Sequence, residues 1–134
     1  MDRSVARRRV AEARVGRLAT LTSEDRPHIV PCCFVLDDQT VYSAVDAKPK
    51  STLALRRLEN VRLHPSCSLL VDHYSEEWTQ LWWVRVDGSG RVIEQGGERE
   101  RALTLLKAKY RQYGETTPPG AVVALDIARW RMWP

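Results

Sequence analysis

Apolar residues along this chain recur at two spacings, and the changes between them divide it into short elements. Val5, Ala6, Val10 and Ala13 fall at helical spacing among arginines, which predicts an amphipathic helix over residues 3–14 that ends at Gly16. Leu18-Ala19-Thr20-Leu21-Thr22 reads as a strand. Ser23 to Pro27 is turn chemistry and joins it as a hairpin to a second, mostly apolar strand from His28 to Leu36. Pro31 lies inside that run. Proline cannot donate to a ladder, so an edge position or a bulge is expected there. Asp37-Asp38-Gln39 turns the chain into a third strand, 40–45.

A helix is predicted over 53–63, with Leu55, Leu58 and Val61 on one stripe, and His64-Pro65 stops it. Cys67 to Tyr74 is a fourth strand. A polar connection leads to a long fifth strand, Gln80 to Glu94, in which Val84, Val86 and Gly88 alternate with Arg85 and Asp87. Gly88-Ser89-Gly90 predicts a bulge or sharp bend. A helix over 98–110, a loop at 114–120 and a last strand over 121–133 complete the chain. Short strands, hairpin turns and only two interrupting helices predict a mainly β fold: an antiparallel barrel with peripheral helices, one domain over 1–134, with the 1–14 helix packed on it.

Composition narrows the function classes. The chain has 134 residues, 43% hydrophobic and 28% charged, enough for a core without metal or disulfide staples. No apolar run approaches the roughly 18–20 residues of a membrane span, and Met1 to Val5 contains no signal-peptide core. A cytoplasmic protein without membrane contact is the expectation. The formal charge is +4, with arginines at 7–9, 56, 57 and 62, which favours an anionic ligand. Nucleic acid is the weaker partner, because the chain has one phenylalanine and most of its aromatics read as buried. Cys32, Cys33 and Cys67 form no CxxC and no metal spacing, so they read as small buried hydrophobes.

The chemistry concentrates at Lys48-Pro49-Lys50-Ser51-Thr52. Two lysines and two hydroxyls fall where a strand hands over to a helix N-terminus, a plausible phosphate cradle. The three histidines show no metal spacing, no Ser/His/Asp triad can be assembled, and His73 beside Asp72 reads as a pair at a strand end. Trp82 and Trp83 are adjacent, so they face opposite sides of a strand. Trp78, in the polar connection, is the tryptophan best placed to stack on a ring. Trp130 and Trp133 are expected at an interface between subunits.

Gly16-Arg17-Leu18-Ala19-Thr20-Leu21, Arg26-Pro27-His28-Ile29-Val30-Pro31 and Val41 to Lys50 together resemble the pyridoxamine 5′-phosphate oxidase-like split-barrel proteins. Leu69 to Tyr74, Trp78 and Leu81-Trp82-Trp83-Val84-Arg85 are similar to their actinobacterial coenzyme F420-dependent branch. The resemblance runs from about residue 14 to the C-terminus. It implies a six-stranded split barrel, a homodimer, and cofactor sites at the dimer interface. Lys48, Lys50, Ser51 and Thr52 take the phosphate position. His28, Val30, Pro31 and Cys32 line the ring, with Tyr42, Ser43 and Ala44 on its other part. Trp78 and Trp82, or else the C-terminal Arg129-Trp130 segment, are implied to come from the partner. The second strand has no lysine, unlike the vitamin B6 oxidases, which points to F420 over B6 chemistry. The implied activity is hydride transfer to an unsaturated small molecule, with His28 and Tyr42 as candidate proton donors. FMN is the alternative cofactor, and a non-catalytic cofactor carrier is the alternative role.

Overall fold

The computed structural model describes residues 1–45 and 52–134, with the side chains of residues 52–55 outside that description. In chain order the elements are α1 (Arg3–Glu12), β1 (Gly16–Leu21), β2 (Pro27–Cys32), β3 (Val35–Asp37), β4 (Thr40–Ala44), α2 (Thr52–Leu63), β5 (Ser66–His73), a 3-10 turn (Trp78–Gln80), β6 (Trp82–Ile93), α3 (Gly97–Lys109), α4 (Arg111–Glu115) and β7 (Val122–Trp133). One curled sheet runs β2-β1-β5-β6-β7-β4-β3, with every ladder antiparallel.

The sheet has seven strands, not the six the resemblance implies, because the run from His28 to Leu36 is two strands. β2 and β3 are opposite edges of the sheet, yet they are consecutive in sequence. Cys33 and Phe34 therefore carry the chain across the seam, outside any backbone ladder. Phe34, fully buried, drives its ring into the core there. The Tyr110 hydroxyl replaces the ladder. It accepts from the Phe34 N–H at 3.1 Å and turns its proton toward the Phe34 and Arg14 carbonyls at 3.1 and 3.0 Å. Pro31 does lie on an edge strand, where a missing donor costs nothing.

Two further expectations are corrected. α1 ends at Glu12 because Ala13 is already extended, and Gly16 belongs to β1. A Cβ at Gly16 would stand 2.7 Å from Leu69 Cδ1, so glycine serves close packing here, not helix termination. The 111–120 stretch, read partly as loop, holds the short helix α4.

The barrel interior holds Leu18, Phe34, Leu69, Val84, Val86 and Leu125, and Ala6 and Val10 of α1 enter it. Trp130 belongs to this core as well. It is 2% exposed, its Nε1 donates to Gln39 at 3.2 Å, and the Arg3 and Arg7 guanidiniums lie 5.4 and 5.7 Å from its ring centre. Its ring is thus spent within its own chain, not on a subunit interface. α3 and α4 cover the outer side of β4 and the first half of β7, where Tyr42, Ala44, Val122 and Ala124 meet Ala102, Leu103 and Leu106. α2 places Leu58 and Val61 against Val123.

The β6–β7 ladder shifts register between Asp87 and Gly88. A Cβ at Gly88 would lie 2.0 Å from the Asp126 carbonyl oxygen, which is backbone and cannot step aside. Gly88→Ala is therefore expected to destabilise by about 1–3 kcal/mol or more, read as a lowered urea midpoint. Tyr110→Phe keeps the ring but strips the seam of its hydroxyl. A loss of about 1–3 kcal/mol is expected from the unsatisfied backbone groups at Phe34, measured by the same unfolding curve.

Candidate functional site

β1 and β2 pair with Leu18 opposite Val30 and Thr20 opposite His28. Paired residues share a face, so His28 and Val30 turn inward with buried Leu18 and Thr20, and Cys32 joins them. On β4, Val41 belongs to the barrel interior, so Ser43 turns the same way, while Tyr42 and Ala44 turn outward beneath α3. α2 is held to this wall by a buried hydrogen bond, Asn60 Nδ2 to Thr20 Oγ1 at 3.1 Å. Arg57 stands one turn before Asn60 on the same helix face. The structure thus gathers His28, Val30, Cys32 and Ser43 and adds Arg57, which the sequence reading counted among the basic residues that favour an anionic ligand without placing it at the site.

The electrostatics of this wall are one-sided. Nδ1 of His28 and Nε of Arg57 are shielded from solvent, and neither has a hydrogen-bond partner among the described residues. Burial pushes the Cys32 thiol up, opposed by the Ser43 hydrogen bond and by the nearby Arg57 charge. The Ser43 hydroxyl also donates to the Cys33 carbonyl at 2.9 Å. Lys109 flanks the same corner with its ammonium 4.0 Å from the Phe34 ring centre, and burial brings it down to about 8. An unmatched guanidinium N–H fits an acceptor group such as a phosphate oxygen.

The other expected site residues lie elsewhere. Lys48, Lys50 and Ser51 are outside the described residues, and Thr52 opens α2 with its side chain outside the description. Pro31, opposite Arg17, and Arg129, opposite Asp87, face outward on the far side of the sheet. Asp87 accepts there from Ser68 at 2.7 Å, Arg85 at 2.8 Å and Arg129 at 3.3 Å. Burial would raise the Asp87 carboxyl, but these donors outweigh it and hold it below the usual carboxylate range.

At the end of the sheet lies an open groove of about 380 Å³, walled by Trp83 and Trp133 from the outward face and by Trp82 and His73 from the inner one, with Tyr74 and Asp72 beside them. Trp83 and Trp133 are cross-strand partners. Trp82 is half-buried, with Arg9 4.7 Å above its ring and His73 stacked at 6.2 Å. Asp72 pairs with Arg17 at 3.4 Å, not with His73, because adjacent strand residues point to opposite faces. Trp78 is 70% exposed on the 3-10 turn.

Tyr42 is not free to serve a ligand. Its hydroxyl donates to Glu98 at 2.7 Å, and burial together with the Glu98 charge pushes it up to about 12. Glu98 in turn accepts two hydrogen bonds from Arg91 at 2.9 and 2.8 Å, and Arg91 also holds Asp126 at 2.6 Å. Those bonds from Arg91 and Tyr42 hold the Glu98 carboxyl down at about 2. Among the described residues no three His, Cys, Asp or Glu side chains form a metal cluster, and no helix is long and apolar enough to cross a membrane.

The family model described as pyridoxamine 5′-phosphate oxidase matches residues 4–134, including α1. No curated protein matches the chain. Among solved structures, a conserved hypothetical protein from Mycobacterium tuberculosis is 19% identical with a TM-score of 0.81, covering 99% of this chain and 84% of that one. A heme-binding protein from Mycobacterium smegmatis is 21% identical with a TM-score of 0.76, over 96% of this chain and 52% of that one. A FAD-binding protein from Mesorhizobium loti is 20% identical with a TM-score of 0.67, over 98% and 94%. At these identities the likeness is one of fold.

The Glu98 carboxyl, lowered from 4.5 to about 2, stabilises the fold above the higher value and loses that contribution as pH falls through the lower one. Glu98→Gln should therefore be less stable than the parent by a constant margin above about pH 5, and the margin should shrink toward pH 2. Urea unfolding of both proteins across that range measures it. A margin that grows on acidification would contradict this arrangement.

Proposed function

The chain belongs to the pyridoxamine 5′-phosphate oxidase family, and on that premise we propose that it is a homodimeric oxidoreductase using coenzyme F420 to reduce an unsaturated small molecule. One observation carries the reading. The unpartnered nitrogens of His28 and Arg57 belong to the inner wall, whereas the Trp83–Trp133 pair lies on the outward face of the same sheet. A single flat ligand cannot touch both within one chain. It can lie between the inner wall of one copy and the aromatic face of another. The outward face is suited to a second copy, because it carries both signs of charge and exposes Ile29 at 63% and Trp133 at 49%.

Coenzyme F420, when bound, supplies hydride transfer to an electron-poor double bond. The protein's own work is to bind, orient and exclude water. Lys48, Lys50, Ser51 and Thr52 hold the phosphate, and Val30 and Cys32 give the inner wall an apolar surface against which a ring can lie. The proton that follows the hydride falls to His28, whose Nδ1 is uncommitted, because the Tyr42 hydroxyl is bound to Glu98. The absence of lysine from β2 favours the deazaflavin over vitamin B6 oxidation.

Paired titrations with coenzyme F420 and FMN, followed by tryptophan quenching, test the reading, with sedimentation to count subunits. The expected result is a dimer that binds F420 more tightly than FMN, with Lys50→Ala weakening binding about tenfold or more. Preference for FMN would move the protein to flavin chemistry. A haemin arm covers the property named for the M. smegmatis protein. A Soret shift there without deazaflavin binding would replace the oxidoreductase with a haem-binding role. A monomer would remove the shared site altogether.

A further inference from the structure

We infer that Arg99 is a positioning residue for the cofactor phosphate: it clamps the Pro118-Pro119-Gly120 loop against Val45 and so fixes the point at which the chain leaves β4 for Lys48 and Lys50. The inference rests on the cofactor reading, which gives those lysines the phosphate, and it names what aims them. Arg99 acts through the backbone, not as a ligand contact.

The loop between α4 and β7 cannot brace itself. Pro118 and Pro119 have no N–H, and Pro118 is fully buried, so the carbonyls there need donors from elsewhere. Arg99, in the first turn of α3, supplies them from one guanidinium. Its Nε donates to the Gly120 carbonyl at 3.3 Å, and its Nη2 reaches the Gly120, Pro119 and Pro118 carbonyls at 3.0, 3.3 and 3.5 Å. Nη1 pairs with Glu100 at 3.1 Å, and the side chain is only 15% exposed. A rigid planar fork can span successive carbonyls, whereas a lysine ammonium is a single point. Gly120 passes the constraint to β4. A Cβ at Gly120 would stand 3.4 Å from Val45 Cβ, and the Val45 N–H donates to the Ala121 carbonyl at 3.2 Å. That bond extends the β4–β7 ladder beyond its Ala44–Val122 pair. Val45 also packs against the cluster of Leu58, Val61 and Val123. Lys48 and Lys50 fall in the chain between Val45 and Thr52, where α2 begins. The anchor before the lysines is therefore Val45, and Arg99 holds the loop against it. A binding group misplaced by about 1 Å loses much of its effect, so an anchor outside the site can set affinity.

The test compares phosphate-bearing cofactors with their phosphate-free rings. Affinities of the full chain for FMN, coenzyme F420, riboflavin and deazariboflavin are measured by tryptophan quenching in the parent, Arg99→Lys, Arg99→Ala and Gly120→Val, with urea unfolding showing that each variant is folded. Gly120→Val presses on Val45 without changing charge, so it separates positioning from the loss of a cation. Arg99→Ala and Gly120→Val should each weaken FMN and F420 about tenfold and leave the phosphate-free rings bound as before, with Arg99→Lys between parent and alanine. The Val45 amide should exchange faster with deuterium in Arg99→Ala. A loss seen in Arg99→Ala but in neither of the other variants would be a charge effect and would overturn the inference. An equal loss for compounds with and without phosphate, or no loss, also overturns it and leaves the oxidoreductase reading standing. A parent that binds none of these compounds removes the oxidoreductase reading. Inorganic phosphate, followed by phosphorus NMR, then decides the inference: it stands if the parent binds phosphate and Arg99→Ala and Gly120→Val weaken that binding, and it falls otherwise.

Discussion

The fold depends on how its seam is closed. The two edges of the curled sheet are consecutive in sequence, so the chain must cross from one edge to the other within Cys33 and Phe34. A backbone crossing there leaves polar groups outside any ladder, in a place already committed to the core. One hydroxyl, on Tyr110, meets the Phe34 amide and two carbonyls at once. That ties the seam to the end of α3 and to Arg14 in the link between α1 and β1. Arg14 closes the tie from the other side, donating to the Lys109 carbonyl at 2.9 Å with its guanidinium 4.7 Å from the Tyr110 ring centre. Cys32 stands at the entry to this corner, so the inner wall of the candidate site inherits its position from the seam.

Charge is distributed in two different ways across the sheet. On the rim beneath α3, every member of the Tyr42, Glu98, Arg91, Asp126 and Thr40 group finds a partner, and the group serves as a strut between β4, β6, β7 and α3. The outward face does the same with Arg85, Asp87 and Arg129. The inner wall differs: among the described residues, His28 Nδ1 and Arg57 Nε there are left without partners. A pairing left open on one side only is what a protein offers to a ligand, whereas a closed network is what it keeps for itself.

Much of this was legible in the chain. The alternation in β6, the glycine pair at its bulge, the edge proline of β2 and both long helices follow from local pattern, because burial on one face imposes a period of two or 3.6 wherever it occurs. The misreadings share one cause. His28 to Leu36 is mostly apolar, and an apolar run carries no mark of where a sheet edge ends and a corner begins. Gly16 resembles a helix stop until Leu69 is placed against it. Trp130 resembles an interface residue until α1 lays two arginines over it.

The sequence by itself determined the strand-rich class, the order of elements and the family motifs, since each rests on residues near one another along the chain. Only the tertiary structure decided which residues share a surface. It separated Tyr42 from Ser43 across β4, set Pro31 and Arg129 on the outward face, and turned Arg57 from one basic residue in a helix into a shielded donor beside Cys32. The reason is physical. Periodicity tells which side of an element is buried, but curling the sheet decides what that side is buried against, and that partner comes from residues distant in the chain.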